Sequence, residues 1–246
     1  MSNVDDIKSQ LIEELWMPTI KEGSDYLISK RKKNKEMKVF SLTSPSNFQE
    51  IGSLLEENIT KRSLIVAWNS DFTKIIRLAT ELGESLILGP TRYEFSILDN
   101  GCDLIEHFPF HIMNLDFSSQ APSNVRGRIE KELLSIENTI SLQRQTGRSF
   151  ILLFTTILNG HNLDMQTVCD ESDMMRLRGW PGICLEEKFI EEPITNQADK
   201  ISSIECLLNK FSQKYGYSFK YKSKNYDLES NEERKIFSVG SILRII

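Results

Sequence analysis

Cysteine and histidine side chains are the first candidates for chemistry in this sequence, because both residue types bind metals. The four cysteines are scattered, with no CxxC pair and no neighbouring histidine cluster: Cys102, Cys169, Cys184 and Cys206. His107 lies in a turn before Pro109 and His111 begins a predicted strand, so the two histidines do not share a helix face. We therefore expect reduced thiols, no disulfide framework and no metal site.

Motifs for other common chemistries are absent or weak. The sequence has no GxSxG elbow and no GxxxxGK[ST] loop, so it gives no support to a hydrolase or a P-loop protein. An acidic group after residue 158 lacks EF-hand spacing and is typical of solvated surface: Asp164, Asp170, Glu171 and Asp173. Arg126 and Arg128 flank a glycine just before a predicted helix. Two guanidinium groups there could bind phosphate, and a solvated helix start is the alternative.

The elements that position these residues alternate between strands and helices. Short apolar runs predict strands at residues 39–42, 64–68, 85–88, 93–98, 111–115 and 150–158. Helical spacing predicts helices at residues 5–20, limited at the far end by Pro18, and at 48–57, 72–82, 128–145 and 198–215. Strands at 217–226 and 236–246 follow as a hairpin. This alternation predicts an α/β protein with a mostly parallel sheet.

Composition and charge are those of an ordinary globular protein. The 246 residues are 39% hydrophobic and 26% charged, which excludes disordered, collagen-like and disulfide-rich chains. A net charge of -5 means that nucleic acid or anionic lipid must be bound by a local patch. The basic run at residues 30–38 is typical of a solvated turn. Without a signal peptide or an apolar run near the roughly 20 residues of a membrane span, we expect a cytoplasmic protein with no membrane partner.

The order of the predicted elements resembles that of the class I S-adenosylmethionine-dependent methyltransferases. Both have an alternating α/β sheet that closes with a long helix and a terminal antiparallel hairpin, the seventh strand inserting beside the sixth. The resemblance covers residues 36–246 and implies a Rossmann-like domain with helices on both faces, preceded by an N-terminal helix and basic segment at residues 1–35. Ligands of open α/β sheets bind beyond the carboxyl ends of the strands, near the point where strand order reverses.

The resemblance implies S-adenosylmethionine as cofactor and assigns residues to it. These are Ser41, Thr43, Ser44 and Pro45 after the first strand, Asn69 and Asp71 after the second, and Tyr93 and Glu94 as an adenine contact. Two departures from the family pattern stand out. The loop at residues 41–47 has no glycine, which makes close backbone approach to a cofactor harder. The ribose-binding acid is expected at Trp68 or Asn69, whereas the nearest carboxylate is Asp71, and Asn69 could bind a ribose only as a neutral partner.

The segment Asn114-Leu115-Asp116-Phe117 looks like the motif at the end of the fourth strand, although the family's prolines are missing. Several nucleic-acid methyltransferases use Asn or Asp there to orient the target amine and an aromatic ring to stack on the base. The resemblance thus implies catalytic roles for Asn114, Asp116 and Phe117. Trp180 lies where this family often carries substrate-recognition insertions, and together with Arg126 and Arg128 it is a candidate substrate contact. Asp116 could instead cap the next turn.

Two hypotheses about function follow from these residues. The first is a methyltransferase that acts on nucleic acid. The second is a catalytically inactive binding or assembly module within a larger protein or complex. The glycine-free loop favours the second hypothesis, as does a predicted strand that runs to Ile246, as in a chain cut from a longer protein.

Overall fold

A seven-stranded sheet forms the centre of the computed structural model, which describes residues 4–29, 36–43, 49–89, 93, 97, 103–119, 128–158, 163, 196–228 and 234–246. The strands are β1 (Val39–Leu42), β2 (Ile65–Trp68), β3 (Leu86–Leu88), β4 (Ile112–Asp116), β5 (Phe150–Leu158), β6 (Tyr217–Asp227) and β7 (Lys235–Ile245). Their order is β3-β2-β1-β4-β5-β7-β6. The first five strands pair in parallel, and β7 is antiparallel to both β5 and β6. The predicted mostly parallel sheet with an antiparallel C-terminal hairpin is confirmed.

Helices cover the sheet on both faces. They are α1 (Val4–Leu11), a π-helical turn (Ile12–Trp16), α2 (Met17–Ser29), α3 (Gln49–Glu56), α4 (Phe72–Leu82), α5 (Arg128–Gln145) and α6 (Gln197–Lys214). Short 3-10 turns lie at Arg62–Leu64, Asp103–His107 and Phe117–Ser119. Helix α4 begins where the Asp71 carboxylate accepts the Thr73 N–H at 3.0 Å, and it ends at Gly83, whose φ is 60°.

The sheet separates two large apolar cores. On one face, α5 and α6 pack over an aromatic-rich core that includes Phe40, Phe150 and Phe154. On the other face, residues 4–29 cover Val39, Ile112 and Ile151. All nine residues of β5 are buried, as expected of a central strand covered on both faces.

Two predictions about individual elements are wrong. Residues 93–98 were expected to form a strand, yet Tyr93 is helical and the Ile97 N–H donates to its carbonyl at 2.9 Å. Both side chains are fully buried in the same core, and a separation of four residues puts them on one side of a helical turn. Pro18 does not limit the first helix, which continues to Ser29. The π-helical turn ends at Trp16, two residues before Pro18, and offsets the hydrogen-bond ladder near the position where proline cannot donate.

The N-terminal helices are joined to the sheet by polar as well as apolar contacts. The Trp16 indole Nε1 donates to Ser238 Oγ of β7 at 3.0 Å. Gly240 allows close approach, because a Cβ there would lie 2.5 Å from Thr19 Oγ1. The division of the chain between residues 1–35 and 36–246 stays a prediction. No helix in the described ranges is long and apolar enough to cross a membrane.

Candidate functional site

The carboxyl ends of β1, β2 and β4 lie at one edge of the sheet, because these strands are parallel neighbours. In the sheet register, Ser41 of β1 lies between Ala67 of β2 and Asn114 of β4. Strand order reverses between β1 and β4, since β2 and β3 continue on one side and β4 and β5 on the other. Open α/β sheets bind ligands at such a position. The loops that follow these three strands therefore leave the sheet at a common edge.

Asn69 ties the loops after β1 and β2 together. Its amide Nδ2 donates to the Thr43 carbonyl at 2.6 Å, and its Oδ1 accepts the Asp71 N–H at 2.8 Å. The Thr43 N–H in turn donates to the Trp68 carbonyl at 3.2 Å. Both polar ends of the Asn69 side chain are thus used within the chain, so a bound hydroxyl would have to compete for them.

Asp71 is the more accessible of the two polar side chains that follow β2. Its side chain is 45% exposed, whereas Asn69 is buried. Hydrogen bonds from Thr73, foremost from its side chain, hold the pKa of the Asp71 carboxyl below its ordinary value. Asp71 is therefore an ionised acceptor that can bind ligand hydroxyl groups, which is the role predicted for an acid in this region.

A buried polar cluster lies beneath the edge, between the sheet and helices α1 and α3. It consists of Lys8, Ser41, Glu50, Asn114 and Asp116, none of them more than 8% exposed. The Glu50 carboxylate accepts hydrogen bonds from Ser41 Oγ and Asn114 Nδ2. Lys8 Nζ lies 2.7 Å from Asp116 Oδ2. Asn114 and Asp116 share this face because residues two apart on a strand point the same way.

The polar cluster has more negative than positive charge when Glu50 is ionised, since two carboxylates then face one ammonium. Burial raises the pKa of the Glu50 carboxyl from 4.5 to about 7, and the Asp116 charge adds to the rise. Hydrogen bonds from Ser41 and Asn114 and the Lys8 charge act in the opposite direction. Within the described part of the chain, the buried Asn114 Oδ1 has no hydrogen-bond partner. Surplus negative charge and an unsatisfied acceptor suit a cationic or N–H-bearing ligand group.

Asp116 also caps the turn after β4, as its alternative role predicted. Its Oδ1 accepts the Ser118 N–H at 3.0 Å. Phe117 is 1% exposed, and its ring centroid lies 6.2 Å from that of Tyr93 and 6.0 Å from that of Phe154. In this conformation Phe117 therefore belongs to the apolar core, and its predicted stacking on a base stays a prediction.

Tyr93 and Arg128 are also occupied by contacts inside the protein. Tyr93 is fully buried, and its hydroxyl lies 2.5 Å from Thr139 Oγ1. Arg128 Nε lies 2.5 Å from Glu132 Oε1, and both side chains are buried. The predicted adenine contact and phosphate contact at these two residues stay predictions. The remaining predicted site residues lie outside the described ranges: Ser44, Pro45, Glu94, Arg126 and Trp180.

Lys8 and Glu50 are the members of the polar cluster that sequence reasoning missed. Lys8 precedes Leu11, Ile12 and Leu15 by three, four and seven residues, so it lies on the apolar face of its helix. Glu50 has the same relation to Leu54, four residues later. The signal in the sequence was a charged residue on the apolar face of a predicted helix. Such a residue is expected to be buried, and a buried charge needs a partner.

Comparisons with known proteins give similarity at the level of the fold. No protein-family model matches the sequence, and no curated protein sequence matches it. The chain is similar to the crystal structure of the small RNA methyltransferase HEN1 with a TM-score of 0.42 and 13% identity, over 94% of this chain and 26% of that chain. It thus spans about a quarter of the HEN1 chain.

Two further solved structures show similarity of the same degree. One is M. jannaschii TYW2 in complex with AdoMet, with a TM-score of 0.42 and 9% identity, over 94% of this chain and 78% of that chain. The other is described as a Zn-dependent alcohol dehydrogenase from Rhodobacter sphaeroides, with a TM-score of 0.37 and 11% identity, over 89% of this chain and 88% of that chain. Because these TM-scores and sequence identities are low, the fold is defined by the strand order and strand pairing of the chain itself. It is the Rossmann-like fold of the class I methyltransferases.

The residues at the edge fit S-adenosylmethionine in two respects and differ from expectation in one. The surplus negative charge of the polar cluster suits a cofactor that carries a sulfonium and an ammonium group. The exposed Asp71 carboxylate suits ribose hydroxyls. The glycine-free first loop is the point of disagreement. Among the described residues, no group of three or more His, Cys, Asp or Glu side chains could hold a metal ion.

Proposed function

We propose that this chain is an S-adenosylmethionine-dependent methyltransferase-like protein that transfers a methyl group to an amine of nucleic acid. The observation that carries the proposal is the polar cluster beneath the switch point, with the unsatisfied amide oxygen of Asn114. The sheet order supports the proposal only indirectly, because one fold hosts many functions. The net charge of -5 requires that nucleic acid be bound by a local patch, for which Arg126 and Trp180 are the proposed contacts.

Each described residue has a defined part in this proposal. The bound cofactor would supply an electrophilic methyl group. Asn114 Oδ1 would accept an N–H of the target amine and so orient its lone pair, and methyl transfer needs little beyond such positioning. Asp71 would accept ribose hydroxyls. Asp116, held by Lys8 and by Ser118, would fix the turn after β4.

Calorimetry with S-adenosylmethionine and S-adenosylhomocysteine tests the first step of the proposal. We expect heat of binding at micromolar ligand.

Transfer of a labelled methyl group to RNA and DNA oligonucleotides tests the second step. Replacing Asn114 by Ala should reduce transfer at least ~100-fold while cofactor affinity changes less than about threefold. Asn209→Ala, on the remote helix α6, is the matched control and should retain transfer. Equal loss of transfer and cofactor affinity in the Asn114 variant would remove its role.

A specific observation favours the second candidate function, a catalytically inactive binding or assembly module. Asp116 is paired with Lys8 inside the protein, and Phe117 and Arg128 are likewise engaged in contacts inside the protein. A folded protein that gives no heat with either ligand at millimolar concentration would favour this module over the enzyme.

A further inference from the structure

The surroundings of Glu50 make its protonation state sensitive to nearby charge. Among the residues that the structure describes, the charged groups that act on it are Lys8 from α1 and Asp116 from β4. Ser41 of β1 and Asn114 of β4 donate to its two carboxylate oxygens. Lys8 is already paired with Asp116 at 2.7 Å. An ionised Glu50 is therefore the uncompensated charge of the polar cluster.

Charge bound at the common edge acts on Glu50 through the protein interior, where screening by water is weak. S-adenosylmethionine carries a positive sulfonium, whereas the sulfur of S-adenosylhomocysteine is uncharged. The two ligands share their ammonium, carboxylate, ribose and adenine groups. A comparison between them therefore isolates the effect of a single positive charge on the polar cluster.

We propose that the polar cluster makes this edge selective for the cationic cofactor over its demethylated product, with Glu50 releasing a proton to solvent when the cofactor binds. The proton leaves the Glu50 carboxyl and no covalent bond of the cofactor changes in this step. Because the product lacks the sulfonium, its binding leaves the protonation of Glu50 as it is in the free protein. Glu50 thus favours exchange of product for fresh cofactor. This inference rests on the proposed function, since it requires S-adenosylmethionine to bind at this edge.

The strength of the effect follows from ordinary electrostatics. A bound cation that lowers the pKa of the Glu50 carboxyl by about one unit gives up to a tenfold preference. Because this pKa is about 7 in the free protein, the ratio of cofactor to product affinity should rise about fivefold between pH 6 and pH 8. At pH 6.5, cofactor binding should release about half a proton.

Isothermal titration calorimetry of the full chain tests the inference. Affinities for S-adenosylmethionine, S-adenosylhomocysteine and sinefungin, which carries an ammonium in place of the methylsulfonium, are measured at pH 6 and pH 8. Titrations at pH 6.5 in phosphate and in imidazole give the number of protons released. Glu50→Gln removes the titrating group and keeps its shape. Glu56→Gln makes the same change at an exposed position of α3 and is the matched control.

The expected result is a cofactor preference that rises with pH in the wild type and in the Glu56 variant, is flat in Glu50→Gln, and is shared by sinefungin. An unchanged preference between pH 6 and pH 8, or an equal rise in Glu50→Gln, would overturn the inference while leaving cofactor binding established. Absence of binding by all three ligands at both pH values would instead overturn the proposed function. If Glu50→Gln fails to fold, the proton release of the wild type and the comparison with sinefungin still test the inference.

Discussion

Glu50 lies where a carboxylate is costly to ionise. It is buried under α1, close to Asp116, and Lys8 already balances that neighbour. The hydrogen bonds from Ser41 and Asn114 offset only part of the cost of removing the charge from water. The free energy of folding must therefore depend on whether Glu50 carries its proton.

Stability should fall as pH rises through the window set by Glu50. In the unfolded chain its pKa is the ordinary 4.5, and in the folded protein it is raised to about 7. Between these values the folded state binds more protons, so the free energy of unfolding decreases with rising pH. Urea unfolding of Glu50→Gln and wild type should show the variant gaining about 2 kcal/mol relative to wild type from pH 5 to pH 8.

The same measurement on Glu56→Gln provides the control, because Glu56 is exposed and lies on the same helix. Its stability relative to wild type should be nearly constant over this pH range. If Glu50→Gln and wild type lost stability in parallel, the assignment of the pH dependence to Glu50 would be wrong.

Lys8 is expected to matter mainly through Asp116. Lys8→Met leaves a buried carboxylate without its ammonium partner and should cost about 3–5 kcal/mol in the free energy of unfolding. Adding Asp116→Asn removes the stranded charge, so the double variant should be more stable than Lys8→Met alone. A double-mutant cycle from urea unfolding measures the coupling. Additive losses would show that the 2.7 Å ion pair contributes nothing.

The sequence located three of the five members of the polar cluster, Ser41, Asn114 and Asp116, and missed the other two for a physical reason. Asn114 and Asp116 end a strongly apolar strand, so a local pattern marks them. Glu50 is 64 residues from Asn114 along the chain. Local spacing cannot reveal which distant charged side chain the fold will bring to a strand end. Only the position of Glu50 and Lys8 on apolar helix faces carried a signal.

At the scale of elements, the prediction was accurate for long segments with a clear apolar pattern. It failed where the β-propensity of a segment and its packing in the core favoured different structures. The predicted bounds of α4, α5 and β5 agree with the structure residue for residue. Residues 93–98 are rich in β-forming types, yet Tyr93 and Ile97 are both fully buried in one core at helical spacing. Tertiary packing outweighs β-propensity at such a position.

Gly89 controls the contact between the loops that follow β2 and β3. Its φ is 144°, and a Cβ there would lie 2.1 Å from the Asn69 carbonyl oxygen, so the backbone itself would have to move. Gly89→Ala should lower the free energy of unfolding by about 2–4 kcal/mol, as measured by chemical denaturation.

Gly52 provides the contrasting substitution. It lies inside α3 with nothing within 4 Å of the position its Cβ would take. Gly52→Ala should therefore stabilise the protein by about 0.5–1 kcal/mol. A similar loss of stability in both glycine variants would contradict the proposed steric role of Gly89.

At the scale of the whole molecule, the N-terminal helices form part of a core rather than a surface addition. Their buried apolar side chains are Ile7, Leu11, Ile12, Leu15, Trp16, Ile20 and Leu27. Each contributes roughly 1.5–3 kcal/mol by burial. Removing residues 1–35 should therefore leave residues 36–246 without cooperative thermal unfolding. Circular dichroism of that fragment is the measurement, and a sharp transition would show that residues 36–246 fold as an independent domain.

The position of β7 between β5 and β6 has a consequence for synthesis on the ribosome. β5, with nine buried and mostly apolar residues, is translated long before its antiparallel neighbour at residues 235–245. Until then one side of β5 has no strand to pair with, and an apolar strand in that condition is prone to aggregate. The nascent chain thus passes through a vulnerable interval that chaperones are suited to protect.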